Sequence, residues 1–280
     1  MAPDDHPELD ETAFLDEDGI REYQSMMGCL QWLVTLGRIN IAFSVASMGR
    51  FNANPRLGHK DCVIRIFGYL RRHPGQQLKV DGRAPPAVAV NPREDWKDEY
   101  PDAVDEYPEK APGFLGAECT VTAFVDASHG FDVASRRSIT GYIVYLNSTP
   151  VLWMSKKQGC VECSTYGAEL VALREVVEAI KGLLYDLRCM GVNVRLPIVV
   201  YCDNQSVIAS GATPGSPLKK KHLGLAYHLV REAVAAGIIC LRFIKSQDNL
   251  ADLLTKALGS MIFRTLTERT QWCGGENRSG

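Results

Sequence analysis

Nowhere does the 280-residue sequence approach the ~18 consecutive apolar residues that a membrane span needs, which argues against a membrane protein. Residues 1–20 contain no Lys or Arg, so the basic start of a signal or transit peptide is missing and export is not expected. Net charge is almost absent, with 31 basic against 33 acidic side chains and a balance of −2; at face value this argues against a polyanionic partner. Cys160 and Cys163 have the CxxC spacing, but no second pair and no histidines at ligand spacing accompany them, so a zinc site is not indicated. The nine cysteines are odd in number, and Cys202 and Cys240 lie in apolar runs, which reads as reduced thiols in a cytoplasmic or nuclear setting. Internal repeats are also lacking. At 46% hydrophobic and 23% charged residues the chain is too apolar to be disordered throughout, and it is long enough for one large or two modest cores.

Charge is unevenly distributed. Residues 1–22 hold nine acids and one base and read as a disordered acidic tail. A Pro-rich piece around Pro85 and Pro86 leads into PREDWKDEYPDAVDEYPEK (92–110), with eight acids and three bases, and 83–118 reads as a linker. Between them, 23–82 is a small helical region: Met27, Leu30, Leu33 and Val34 recur at helical spacing, as do Val63, Ile66, Phe67 and Leu70 after a helix start at Asn54–Pro55. Arg65, Arg71 and Arg72 stud that last helix, as a solvated face or as a phosphate-tracking one. The remaining segments are 119–258 and a tail, 259–280.

Region 119–258 predicts a mixed, five-stranded α/β unit. TVTAFVDAS (120–128), SITGYIVYLN (138–147) and PVLWMSKK (150–157) are three strands, LPIVVYCD (196–203) and IICLRFI (238–244) two more. Leu170, Leu173, Val177, Ile180, Leu184 and Leu187 mark one face of a long helix. A second helix spans 218–236, and a closing helix starts near Asp248. Asp126 and Asp203 end strands, where α/β sheets present ligand-binding groups, while Glu169 and Asp252 fall in first helical turns. Each alone reads first as a turn former or a macrodipole partner. Together at one sheet end they would repel one another unless cations intervened, and such a group suits two Mg²⁺ ions about 4 Å apart.

The runs SRRSITGY (135–142), WMSKKQ (153–158), CDNQSVI (202–208), KKKHLGLAYHLVREAV (219–234) and NLADLLTKAL (249–258) resemble the RNase H domain of copia-type LTR retrotransposons. Residues 23–51 and 54–73 are similar to the segment after that family's polymerase palm, so the resemblance spans about 200 of the 280 residues. It implies an RNase H-like fold preceded by the end of a reverse transcriptase, that is, the C-terminal part of a Pol polyprotein. By position it also implies that Asp126, Glu169, Asp203 and Asp252 are the catalytic metal ligands, holding two Mg²⁺ (or Mn²⁺) ions that hydrolyse the RNA strand of an RNA·DNA hybrid. Backbone shape and the 2′-hydroxyl would dominate recognition. Lys156, Lys157, Asn204, Gln205, Lys219, Lys220 and Lys221, with Arg65, Arg71 and Arg72, are the candidate nucleic-acid contacts. A polymerase half of the same polyprotein is the implied partner, in a virus-like particle in the cytoplasm or in the nucleus.

Some positions depart from the family pattern. Its TEAE sequence reads Tyr166, Gly167, Ala168, Glu169 here, and Ser128 stands where an Asp is usual. No Tyr-x-Asp-Asp motif is present, so the chain is not a polymerase by itself. A decayed or co-opted nucleic-acid-binding fragment is the alternative reading. An integrase or transposase fits less well, because its acids run Asp, Asp, Glu whereas the Glu here comes second. Charge distribution also revises the first impression: residues 1–22 and 92–110 hold seventeen acids and four bases, and the rest of the chain carries 27 bases against 16 acids. The folded parts are basic, as a duplex-binding protein requires, and the acidic segments are expected to compete with nucleic acid for that surface.

Overall fold

The computed structural model describes residues 6–86, 94–218 and 220–273. Asp16 caps α1 (Glu17–Thr35) by accepting from the Gly19 amide at 2.8 Å, and α2 (Ala42–Gly49) and α3 (Leu57–Arg72) follow. α3 starts two residues beyond the expected Pro55: the Arg56 amide donates to His59 Nδ1 at 3.0 Å, and this side-chain cap sets the boundary. After the short β1 (Gln76–Leu78) come β2 (Cys119–Ser128), β3 (Ile139–Leu146), β4 (Thr149–Lys157), α4 (Thr165–Cys189), β5 (Val194–Cys202), α5 (Gln205–Ala212), α6 (Gly224–Ala235), β6 (Ile239–Phe243), α7 (Ser260–Thr270) and β7 (Gln271–Cys273).

The five long strands form one mixed sheet, ordered β4-β3-β2-β5-β6. β2 pairs antiparallel with β3 and parallel with β5, and β6 continues parallel beside β5. Successive residues of a strand point to opposite faces, and β3 illustrates the result. Val144 joins the core under α4 and α6, whereas Ile143 and Tyr145 point to the other face. That second face is covered by α1, α2, α3 and the 250–254 segment: Tyr23, Leu30, Ile39 and Met48 share a core with Ile143, Leu253 and Leu266. The Trp153 indole donates to the Val34 carbonyl at 3.1 Å across this contact. Residues 23–82 are therefore not a separate body. A sheet apolar on both faces needs cover on both, and the upstream helices supply it.

Three expectations change for related reasons. Residues 6–22 are not a loose tail, since Pro7 is buried, Lys60 pairs with Glu22 at 2.7 Å, and Arg50 with Glu8 at 3.6 Å; residues 1–5 lie outside the described residues. The described part of the acidic linker is docked: Trp96 is buried against the Arg231 guanidinium, which also pairs with Glu99 at 3.6 Å, and Asp105 accepts from Arg188 at 2.8 Å. These acids meet Arg50, Lys60, Arg188 and Arg231, none of which is a candidate phosphate contact. Residues 259–273 are likewise no tail, because Leu266 of α7 is fully buried and β7 pairs with β1; residues 274–280 lie outside the described residues.

Candidate metal centre

Parallel pairing of β2 and β5 sets the first two acids together. The register that pairs Phe124 with Tyr201 brings Asp126 level with Asp203, which follows the last residue of β5. Glu169 comes from α4, whose N-terminus is fixed by Ser164 accepting from the Gly167 amide at 3.1 Å. It lies one turn further into the helix than the sequence suggested.

The fourth acid differs more from expectation. The closing helix does not form; Ser246–Asp248 and Leu250–Leu254 are short 3₁₀ turns instead. Asn249, not Asp248, is the cap, with its side-chain oxygen accepting from the Ala251 amide at 3.2 Å. Its amide group donates to the Val125 carbonyl at 2.9 Å, which ties the turn to the strand beside Asp126. The tighter 3₁₀ winding buries Leu250, Leu253 and Leu254 against the sheet while Asp252 turns to the cluster.

Oxygens of Asp126, Asp203 and Asp252 lie within 4.8 Å of one another, and Glu169 and Asp203 belong to a second such group with the Cys202 sulfur. Burial, followed by the charges of Glu169 and its neighbours, pushes the Cys202 thiol up, and the Asn204 amide donates to its sulfur at 3.4 Å, so it serves as an apolar neighbour. Asp126, Glu169 and Asp252 are all buried, and the described residues leave Glu169 Oε2 without a hydrogen-bond partner. Burial above all, then Asp126 and Asp203, holds the Glu169 carboxyl well above its usual range. Asp252 is pushed up to about 7 by burial and by Asp126, against the pull of Lys256. Buried carboxylates this close, one with an unpartnered oxygen, form a hard all-oxygen donor set suited to Mg²⁺ or Mn²⁺.

Four further residues shape the cluster and were not singled out from sequence. Lys256 places its ammonium 2.9 Å from Asp252 and 3.5 Å from Asp126, Thr255 Oγ1 donates to Asp126, and Ser246 Oγ donates to Asp203 at 2.6 Å. Thr255 and Lys256 stand in the LADLLTK run, three and four residues after Asp252, which was the available signal. Gly141 faces Asp126 across the β2–β3 pair, and an added Cβ would lie 2.6 Å from Thr255 and 2.8 Å from Leu254. Gly141→Ala should therefore push the Asp252 turn outward and destabilise the fold by about 1–3 kcal/mol, measured by urea unfolding. Lys256→Met removes the only ammonium seen touching the cluster among the described residues. It should lower metal-free stability by about 1–2 kcal/mol, less than for a fully buried pair because Lys256 is partly exposed. Saturating Mg²⁺ should restore most of that loss in a thermal melt.

The candidate nucleic-acid contacts are spread out. Lys156 and Gln205 are exposed, Lys157 lies 3.3 Å from Asp132, and the Asn204 side chain is spent capping α5. Lys220 donates to Ser164 Oγ at 2.5 Å beside the start of α4, next to exposed Lys221; Lys219 lies outside the described residues. Arg65, Arg71 and Arg72 are exposed on α3, over the opposite face of the sheet from α4.

An antiparallel hairpin leading into two parallel strands, with acids gathered at the end of the central strand, is the RNase H-like class of α/β fold. Over most of its length the chain is similar to retrovirus-related Pol polyproteins of copia-type transposons. It is 26% identical over 248 residues to the Pol polyprotein from transposon RE2 of Arabidopsis thaliana, and 28% identical over 246 residues to that from transposon TNT 1-94 of Nicotiana tabacum. These matches cover 89% and 88% of the chain but only 15% and 16% of the relatives. Among solved structures, RNase H1 from Halobacterium salinarum aligns over 50% of this chain and 95% of its own, at 17% identity and a TM-score of 0.38. LC11-RNase H1 in complex with an RNA/DNA hybrid aligns over 49% and 94%, at 14% identity and a TM-score of 0.39. No family model matches the chain. Among the described residues no helix is long and apolar enough to cross a membrane.

Proposed function

We propose that the chain is a divalent-metal-dependent ribonuclease that hydrolyses the RNA strand of RNA·DNA hybrids, the RNase H part of a copia-type transposon polyprotein. The observation that carries this reading is the convergence of Asp126, Glu169, Asp203 and Asp252, far apart in sequence, into one cluster at the end of β2 and β5, three of them buried and Asp203 half-buried. Asp126 and Asp203, central to the cluster, would hold two Mg²⁺ ions, with Glu169 completing one site and Asp252 the other. Bound there, the metals would lower the pKa of an attacking water and stabilise the leaving oxygen of the phosphodiester.

The chain's own groups prepare that site. Thr255 and Ser246 each donate to a carboxylate oxygen and fix its direction, while Asn249 anchors the Asp252 turn to β2. Burial of the acids keeps bulk water from screening them, so each charge acts at close range. Lys220 and Lys221, beside the start of α4, would engage phosphates of the bound duplex.

The test uses the whole chain, because the upstream helices share a core with the sheet. A hybrid labelled on its RNA strand should be cut in Mg²⁺ or Mn²⁺ and left intact in EDTA, and an all-DNA duplex should survive. Hybrid binding without metal-dependent cutting would favour the passive-module reading instead.

A further inference from the structure

A cleft of about 1170 Å³ runs between α3 and α7. Arg65, Arg72 and His73 stand along one side, and Lys256 and Arg264 along the other; Glu268 is the one acid that lines it among the described residues. Its floor mixes aromatic and polar groups: Phe263 meets Tyr69 edge-on with centroids 5.8 Å apart, and the Tyr69 hydroxyl is engaged with Gln76 and Asn40. At the Lys256 end the cleft opens beside the carboxylate cluster, since that ammonium contacts both Asp126 and Asp252.

We infer that this cleft receives the sugar–phosphate backbone of one strand of the hybrid as it extends away from the carboxylate cluster; the inference rests on the ribonuclease reading. Charge complementarity identifies the occupant. A corridor with basic sides and a mixed aromatic and polar floor, leading from carboxylates suited to phosphodiester chemistry, matches a polyanionic strand, whereas an acidic peptide would have no reason to continue into that cluster. Spacing agrees with an extended ligand. Residues 65 and 72 are seven apart on α3, two helical turns or about 10.5 Å, which is far enough for the two arginines to meet different phosphates of one strand.

Arg65 donates to Cys62 Sγ at 2.8 Å, Arg72 to the Gly68 carbonyl at 3.3 Å, and the Arg264–Glu268 pair is a surface one. Arg71, which the sequence placed among the candidate contacts, drops out of that set on this cleft reading and supplies an internal control. It is exposed on the same helix, but it lies about 100° round from Arg72 and does not line the cleft.

The experiment measures binding of the full chain to a fluorescent RNA·DNA hybrid in EDTA, by anisotropy across a KCl series. Arg65→Glu/Arg72→Glu should bind about tenfold more weakly at low salt, and its log Kd against log[KCl] slope should be smaller by about 2. Arg71→Glu should stay within about twofold of the unaltered chain, with an unchanged slope. Circular dichroism melts of all three proteins check that these exposed substitutions leave the fold intact. A double variant that behaves like Arg71→Glu, equal losses in both, or an unaltered chain that does not bind the hybrid overturns the cleft assignment. Failure of the ribonuclease reading looks different. The slope difference would persist while Mg²⁺ produced no cutting, whereas cutting with no slope difference would remove the cleft alone.

Discussion

Asp203→Asn should abolish metal-dependent hybrid cleavage, lowering the rate by at least about 10³-fold, or roughly 4 kcal/mol of transition-state stabilisation. Asp203 is the residue to change because it alone belongs to both groups of potential ligands, with Asp126 and Asp252 in one and with Glu169 in the other. Asn keeps the shape and can still accept from Ser246, so the loss reports the carboxylate charge and not a collapsed loop. Single-turnover cleavage of a labelled hybrid measures it. The variant should melt no lower than the parent in EDTA, because it relieves repulsion among buried acids. Retention of more than a tenth of the parent rate would remove Asp203 from the site.

The second large effect is on stability, and its sign is fixed by the direction of the pKa shifts. Glu169 is held well above its usual range and Asp252 is pushed up to about 7, both chiefly by burial. These two groups therefore bind more protons in the folded than in the unfolded chain between about pH 4 and 7, and their contribution to metal-free stability falls as pH rises through that window; the lowered carboxyls of Asp10, Asp81 and Asp132 act in the opposite sense only at its acid end. Even one pKa unit of difference corresponds to about 1.4 kcal/mol, or roughly 3 °C in a chain of this size. Mg²⁺ reverses the trend by binding the deprotonated cluster. At a hundredfold excess over its Kd it adds about 2.7 kcal/mol, hence roughly 5–10 °C at pH 8 and much less at pH 5. Thermal melts at pH 5 and 8, with Mg²⁺ or EDTA, measure all four quantities. A metal-free midpoint that climbs from pH 5 to 8 would show that these carboxylates do not confront one another.

The docked acidic segments bear on how such experiments are designed. Trp96 lies buried against Arg231, and Asp105 is paired with Arg188, so deleting this stretch would expose apolar surface and strand buried arginines. A truncation starting at residue 119 would also lose the helices that cover Ile143 and Tyr145. The whole chain is the appropriate material for every measurement above.

Much of the fold was legible from local pattern. The β-branched and apolar runs of β2 and β3, the apolar stripe of α4 and the buried-type run of β5 each follow from local side-chain pattern, which a chain carries in its own order. The errors fell where long-range contact overrides local preference. Leu250, Leu253 and Leu254 have helical spacing, yet the sheet below and the Asn249 anchor to Val125 wind them as 3₁₀ turns. Acidic composition suggested loose segments at 1–22 and 92–110, but ion pairs with Lys60, Arg188 and Arg231 hold parts of both against the body.

By itself the sequence determined which residue types were available for chemistry: four acids, each beside a recognisable strand or helix, and a basic surplus outside the acidic stretches. Only the tertiary structure decided that these acids meet. Their separations along the chain, 43, 34 and 49 residues, carry no information about distance; the parallel β2–β5 pairing does. The same holds for Lys256, whose ammonium becomes significant through the oxygens of Asp126 and Asp252 around it, and for Arg65 and Arg72, which α7 turns from a helix face into one side of a cleft. Coulomb energy and burial depend on separation and surroundings in space, and those quantities come into being only when the chain folds.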